Sequence, residues 1–260
     1  MRDLVRLKGI EKIFSPGTPD ENRLFSDFSL EVSEGEFVSI IGGNGSGKTT
    51  LLDLVCGGKL PDAGKVLLDG EDVTRLPDYR RARRIGRVFQ DPAKGTCATL
   101  TILENLSLAA NKGKFFGLGG GVNRKRMEEF RALLRTLNLG LEDRLDQPVG
   151  SLSGGQRQAL ALLISTMTPI DLLVLDEHTA ALDPRSSETI MEITRRVVEE
   201  KHLTTLMVTH NLKYAAVYGN RLIMMHQGKI AMDLRGEEKR AISMEALLSE
   251  FNRISLETGL

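Results

Sequence analysis

Tryptophan is absent from this chain of 260 residues, and aromatic side chains make up only 5% of it. Stacking platforms for single-stranded nucleic acid are therefore scarce. Excess charge is missing too: 35 Lys and Arg balance 35 Asp and Glu. Without a basic field, sequence-independent binding to a phosphate polymer is disfavoured, and no nucleic-acid partner is expected. The two cysteines, Cys56 and Cys97, are too few for a disulfide framework and read as reduced thiols. No apolar run approaches the ~20 residues that span a bilayer. The longest, at 159–167, is broken by Ser165 and Thr166 and closed by Pro169. The start, Met1-Arg2-Asp3-Leu4, carries an acid and no apolar segment, so no signal peptide is expected. Any membrane connection is expected to come through a partner. What is present is ordinary for a globular protein: 41% hydrophobic and 27% charged residues, in a chain long enough to bury a core without staples.

The pattern along the chain changes twice. Phe28, Leu30 and Val32 alternate with polar neighbours, as in a half-buried strand, and residues 37–41 form a short apolar run suited to a strand buried on both faces. Asp69-Gly70 between 65–68 and 71–73 signals a hairpin, and 87–89 reads as a further strand. From about residue 100 to 167 the spacing is helical, with Leu103, Leu106 and Leu108 in one stretch and Phe130, Leu133, Leu134 and Leu137 in another. A glycine-rich loop at 115–121 lies between them. The last third alternates again: strands at 172–175 and 203–208, a helix at 184–200 started by Asp183 and Pro184, a Gln227-Gly228 turn between 221–225 and 229–232, and a terminal helix at 244–251. Strands alternating with helices predict an α/β fold with a mostly parallel sheet, and the helical block predicts a second lobe. Arg80, Arg81, Arg83 and Arg84 are expected to form a solvated basic face, with lipid headgroup contact as the alternative.

The most specific segment is Gly42-Gly43-Asn44-Gly45-Ser46-Gly47-Lys48-Thr49-Thr50. It joins the 37–41 strand to a helix expected at 49–55, the context a phosphate-binding loop requires. Glycines let backbone N–H groups converge on phosphate oxygens, and the helix start adds partial positive charge. Lys48 can reach the β- and γ-phosphates, and the Thr49 hydroxyl can ligate Mg2+. A second acidic site is needed. Asp176 ends the 172–175 strand, where a carboxylate can hold Mg2+ through water, and Glu177 beside it can orient and deprotonate an attacking water.

Downstream lies Leu152-Ser153-Gly154-Gly155-Gln156-Arg157-Gln158, in which Ser153 can cap a helix whose first glycines expose amides to an anion. With this segment the chain resembles the ATP-binding cassette (ABC) ATPases, whose signature is Leu-Ser-Gly-Gly-Gln. The resemblance runs from about Leu4 to Met232. It implies a single P-loop ATPase domain over 1–240, an antiparallel β subdomain, and a short helical tail at 241–260. Residues 1–90 and 169–240 would form the core, and 91–168 the helical lobe. It also implies ATP and Mg2+ bound in a head-to-tail homodimer, the signature of one copy closing over the γ-phosphate of the other.

Residue by residue, Phe14 resembles the aromatic that stacks on adenine, a strand-edge core position being the alternative. Gln90, in Val88-Phe89-Gln90-Asp91-Pro92, is similar to the hinge glutamine that contacts Mg2+ and water. Asp176 and Glu177 resemble the metal aspartate and the catalytic glutamate. Asp183, in Ala180-Ala181-Leu182-Asp183, lies in a segment that resembles the loop crossing the dimer interface, and His210 resembles the switch histidine that senses γ-phosphate. Ser153, Gly154, Gly155 and Gln156 would face the nucleotide of the partner copy. His178 departs from the family, which usually has proline there; it, His202 and His226 are expected to carry no catalytic role.

Among cassette proteins, repair and translation members carry two cassettes or a long coiled coil, neither of which is found. A GTPase would need a guanine-reading motif, and a non-catalytic cassette would have lost Lys48 or Glu177. The reading is therefore the ATPase subunit of a transporter, peripheral on the cytoplasmic face of the membrane and partnered by separate permease subunits. The segment 146–151 lacks the charged glutamate-glycine element common in exporters. The expectation is a bacterial-type importer served by a solute-binding protein, with a permease of the branched-chain amino-acid type and an amino acid or similar solute. Residues 90–101 and 115–121 are expected at the permease groove.

Overall fold

The computed structural model describes residues 2–114, 121–122 and 124–256. In chain order the strands are β1 (Asp3–Phe14), β2 (Asn22–Ser33), β3 (Phe37–Gly42), β4 (Ala63–Leu68), β5 (Glu71–Asp72), β6 (Ile85–Val88), β7 (Leu172–Asp176), β8 (Thr204–Val208), β9 (Arg221–His226) and β10 (Lys229–Arg235). The helices are α1 (Lys48–Cys56), α2 (Asp78–Arg81), α3 (Ile102–Ala110), α4 (Met127–Arg135), α5 (Gly154–Thr166), α6 (Pro184–Lys201), α7 (Leu212–Val217), α8 (Gly236–Ala241) and α9 (Met244–Leu256). These elements gather into two compact units, Met1–Ala82 with His202–Leu260, and Arg83–Lys201. The second contains the 91–168 segment and adds β6, β7 and α6 to it.

The first unit holds an antiparallel sheet in the order β2-β1-β4-β5. Val5 pairs with Val32 and Leu68, and Leu7 with Leu30 and Val66. All six are buried, which is the period of two read along one face. Asp69 and Gly70 both take positive φ, 56° and 80°, as the β4–β5 hairpin turn demands. The unit's other strands run parallel on either side of β3, β8 on one and β9 on the other, with β10 antiparallel to β9. Every residue of β3 is buried, which explains its unbroken apolar sequence. The terminal helix α9 runs further than 251. Its Leu247 and Ile254 join Ile41, Ala215, Leu222 and Met224 in one buried cluster, so the tail is part of this unit's core.

Two arginines in the first unit are interior. Arg221 on β9 is 2% exposed and grips Asp233 of β10 with two bonds, Nε to Oδ1 at 2.7 Å and Nη2 to Oδ2 at 2.8 Å. Its Nη1 reaches Glu36 at 3.0 Å and the Glu31 carbonyl at 2.6 Å. Arg81 corrects the expected solvated run: it too is 2% exposed. Its guanidinium donates to the carbonyls of Leu54 (2.7 Å), Val55 (3.0 Å), Thr74 (2.9 Å) and Leu76 (2.9 Å). Leu54 and Val55 lie in the last turn of α1, whose final carbonyls need donors and whose dipole favours a cation. Four neighbouring arginines read as a face, yet one of them closes a helix.

In the second unit β6 and β7 pair in parallel, Ile85 opposite Leu172 and Val88 opposite Leu175. The β6 strand starts two residues and ends one residue earlier than expected, leaving Phe89 beyond its end. The helices α3 and α5 both begin in capping boxes, Thr101 with Glu104 and Ser153 with Gln156. On α3, Leu103 and Leu106 are buried as expected, but Leu108 is 45% exposed. Two residues past Leu106 on a helix is some 200° round from it, so the two cannot share a face. His178 lies just after β7 and is 2% exposed. Its Nε2 is 3.2 Å from Thr194 Oγ1 on α6, and that hydroxyl already donates to the Ile190 carbonyl at 2.8 Å. Nε2 therefore carries the proton, and burial pulls the imidazole down to about 4.

Replacing Arg81 by Met leaves four interior carbonyls short of donors and is expected to cost roughly 2–4 kcal/mol, read as a lower urea midpoint with intact nucleotide-free fold by circular dichroism. The His178 shift fixes a pH window. Because the imidazole stays neutral in the fold down to about 4 and protonates near 6.5 in the unfolded chain, acid favours unfolding between these values. The wild-type chain should lose about 2 kcal/mol more between neutral pH and pH ~5 than His178→Gln, measured by urea unfolding at both.

Candidate functional site

In the first unit the nine-residue loop from Gly42 to Thr50 turns β3 into α1. Gly42 touches β9 so closely that a Cβ there would lie 2.3 Å from the Met225 carbonyl. Gly47 sits at φ 103° as the residue before α1, and a Cβ on it would meet the ring of buried Phe25 at 2.9 Å. Neither position accepts a side chain. The loop is tied from outside by Gly228 N–H, which donates to the Ser46 carbonyl at 3.1 Å. Lys48 is 6% exposed, and its ammonium donates to the carbonyls of Gly42 (2.8 Å) and Gly43 (2.9 Å). It is thereby held over the loop. Thr49 is exposed and Thr50 half-buried in the first turn of α1; Asn44 and Gly45 are exposed at the loop's crown.

His210 follows β8, and β8 runs parallel beside β3. Thr209 N–H donates to the Ile40 carbonyl at 3.1 Å. The histidine and the loop thus leave neighbouring strands at the same C-terminal edge, where open α/β sheets take ligands. His210 is exposed, and Asn211 next to it caps α7 through Tyr214 N–H at 3.2 Å. Phe14 is half-buried at the end of β1, opposite Asn22, with the Lys12 ammonium 5.7 Å from its ring centroid. A cation on one face leaves the ring anchored as a platform.

The second unit repeats the edge arrangement. Gln90 follows β6 and Glu177 follows β7, which ends in Asp176; the strands are parallel neighbours. Gln90 is exposed, and Asp91 beside it caps a short turn at 92–94 through Ala93 N–H. Asp176 is 9% exposed, and its Oδ2 accepts from Arg87 Nη2 at 2.7 Å. Glu177 takes φ 48°, a left-handed backbone uncommon for a residue with a Cβ, and the turn is closed by Ala180 N–H on the Glu177 carbonyl at 2.9 Å.

The signature segment starts α5. Ser153 Oγ accepts from Gln156 N–H and Gln156 Oε1 from Ser153 N–H, both at 3.2 Å. Ser153 and Gly154 are exposed and Gly155 half-buried. A Cβ at Gly154 would stand 3.2 Å from Leu182, and one at Gly155 3.2 Å from Ser186. The glycines therefore also let α5 lie against the loop of Asp183. Asp183 itself accepts from Ser186 N–H at 3.0 Å, and the Ser186 hydroxyl and amide hold its carboxyl below the usual range.

Sequence reasoning missed three residues of this unit. Gln158, 1% exposed on α5, donates to the Phe89 carbonyl at 3.0 Å and so ties the signature helix to the residue before Gln90. A glutamine in an apolar helix was the signal. Asn105 on α3 accepts from Cys97 N–H at 2.8 Å and donates to the carbonyls of Cys97 and Thr101, pinning the 97–101 segment. Arg87 gave no signal beyond a charge in an apolar strand. The 115–121 loop expected near a permease lies, but for Gly121, outside the described residues. Among the described residues no three His, Cys, Asp or Glu side chains gather as a metal cage. A Mg2+ ion carried on nucleotide phosphates needs none, and the hydroxyl of Thr49 in the first unit and, in the second, the amide oxygen of Gln90 and the carboxylate of Asp176 are each of the hard oxygen type such an ion accepts.

Comparison with known proteins agrees with this architecture. The family model described as ABC transporter matches residues 25–180. The tyrosine transport ATP-binding protein of Clostridioides difficile (strain R20291) is 44% identical, over 95% of this chain and 98% of its own. A lipoprotein-releasing system ATP-binding protein of Caulobacter vibrioides is 35% identical over 90% of this chain and 97% of its own. Among solved structures, the ADP conformation of an ATP-binding cassette of an ABC transporter superposes with a TM-score of 0.79 at 27% identity, covering 100% of both chains. A dimeric cassette in a post-hydrolysis state, bound to ADP and phosphate, gives 0.74 at 30% identity, over 89% of this chain and 98% of that one. On the phosphate loop, the capped signature helix and these matches, the chain belongs to the ABC transporter family and is one of its ATP-hydrolysing cassettes, with the P-loop cassette fold.

Proposed function

We propose that this chain energises the passage of a small solute, an amino acid being the leading class, through separate membrane permease subunits at the cytoplasmic face. The tyrosine transport relative, matched over almost its full length, supports the solute class. The absence of a charged glutamate-glycine element before the signature supports import, and with it a solute-binding protein upstream. The working unit is two copies arranged head to tail. The observation that carries this is the presence of two separate helix starts built for anions, α1 and α5, one in each compact unit. A single nucleotide site needs only the first.

In the cycle, Phe14 receives adenine and the amides of residues 42–49 receive the phosphates. Lys48 exchanges loop carbonyls for phosphate oxygens. Thr49, Gln90 and Asp176 would hold Mg2+, which would supply neutralisation of phosphate charge. Ser153, Gly154 and Gly155 of one copy, ordered by Gln156, cover the γ-phosphate of the other and exclude bulk water, while the Asp183 loop lines the contact between copies. Glu177 accepts a proton from the attacking water as it adds to the γ-phosphorus and the bond to ADP breaks. His210 donates to the γ-phosphate oxygens, and Gln90 reports the change to the helical segment it leads into. With phosphate separated from ADP the cross-copy contacts weaken, and the pair opens.

Glu177→Gln should bind ATP normally but hydrolyse it roughly a hundred- to ten-thousand-fold more slowly, and should elute as a dimer with ATP on gel filtration; hydrolysis at the wild-type rate overturns the base assignment. Lys48→Ala should lose productive binding. Neither Lys48→Ala nor Ser153→Arg should hydrolyse ATP alone, whereas a mixture should regain activity, since each mixed pair keeps one whole composite site. No recovery, with both variants folded, counts against the head-to-tail arrangement.

A further inference from the structure

Arg87 stands in a strand whose other residues are Ile85, Gly86 and Val88. It pairs with Val174 across the parallel β6–β7 ladder, so the strand period of two places Asp176 on its face. The ion pair, Nη2 to Oδ2 at 2.7 Å, leaves 16% of the arginine and 13% of the aspartate side chain exposed. The guanidinium also lies 4.7 Å from the Phe89 ring centroid, which fixes its plane. Removing two charges from water costs more than an apolar pair would at these strand positions, so stability is a poor reason for this arginine.

We propose that Arg87 is a fixed counter-ion of Asp176 that weakens the carboxylate's hold on a divalent cation, so that the site retains metal only together with nucleotide phosphates. This rests on the reading of Asp176 as the metal aspartate. A guanidinium stays charged at every physiological pH. It engages Asp176 through Oδ2 and would leave Oδ1 to the water shell of a metal. A carboxylate shared in this way offers less charge to free Mg2+, and the phosphates make up the difference. Arg87 is thus a positioning residue that ties metal retention to nucleotide.

The test is the binding of a fluorescent ADP analogue, which involves no hydrolysis, titrated with Mg2+. Arg87→Met keeps an unbranched stem against Phe89 and removes the charge; the half-saturating Mg2+ concentration should fall roughly tenfold, as for loss of a unit charge beside a water-screened divalent site. Arg87→Lys should stay within about twofold of wild type. Asp176→Asn should raise the Mg2+ requirement, and adding Arg87→Met to it should shift that requirement by less than about twofold. An unchanged or higher requirement in Arg87→Met overturns the proposal, as does an equal fall with and without the carboxylate. Should Arg87→Met fail to fold by circular dichroism, Arg87→Gln reads the same quantity. If Asp176→Asn leaves the Mg2+ dependence untouched, the metal reading of Asp176 fails with it, a result distinct from an Arg87 effect that is simply absent.

Discussion

A buried strand that must turn within a few residues into a helix with outward-facing amides is the constraint on which the first unit is built. β3 is covered on both faces, so its backbone groups are consumed by β8 and β9. Its end at Gly42 has no room for a Cβ beside Met225, and Gly47 has none beside Phe25. Between them glycine holds the turn without a side chain that would shield the backbone at the loop's crown. Lys48 satisfies the carbonyls that point the other way. The shape of the loop therefore depends on the packing behind it and on the lysine across it.

Buried cations follow a common logic elsewhere in the chain. Arg81 and Lys239 have carbonyls, not carboxylates, as partners: Arg81 the last turn of α1, and Lys239 those of Tyr218 and Gly219. Burial lowers the Lys239 ammonium to about 8, so its charge is held at the edge of the physiological range by two carbonyl dipoles. Arg221 instead has two carboxylates and a carbonyl, and fixes the antiparallel edge strand β10 to β9. Each occupies a place where backbone acceptors or acids would otherwise be unpaired inside the protein, and arginine's planar fork can meet several of them at once.

These interiors mark the limit of what the sequence discloses. The strand–loop–helix around Lys48, the strand ends at Asp176 and before His210, and the capped signature helix are legible because each rests on neighbours in sequence: an apolar run, a glycine spacing, a serine three residues before a glutamine. The hairpin turns at Asp69-Gly70 and Gln227-Gly228 are legible for the same reason. Arg81, Gln158, Asn105 and Arg87 are not, because the backbone and side-chain groups they bond are not set by their sequence neighbours; even the apolar setting of Gln158 marks its burial without naming its partner. The glycines of the signature show the difference in one place. Their spacing suggests an anion, and only the fold shows that Gly154 and Gly155 also admit Leu182 and Ser186.

The same distinction bears on His178. Read as a departure from the proline usual in the family, it alters only a turn. In the fold it bears on the backbone of Glu177 and on the packing behind the turn. A proline at 178 would draw Glu177 toward extended backbone, whereas a residue with an ordinary N–H leaves Glu177 its left-handed φ of 48°. Such a conformation costs of order 1–3 kcal/mol and persists only where the surroundings over-determine it. The interior imidazole is one such surrounding: it is neutral and bonded to Thr194, which anchors the turn to α6 from behind. Removing it would take away a contact that opposes relaxation of the Glu177 backbone, whereas acid would add a proton at the other ring nitrogen and place a charge in the interior. The acid sensitivity of the fold and the anchoring of the turn beside it therefore meet in one residue, the first through the burial of its ring and the second through its bond to a helix.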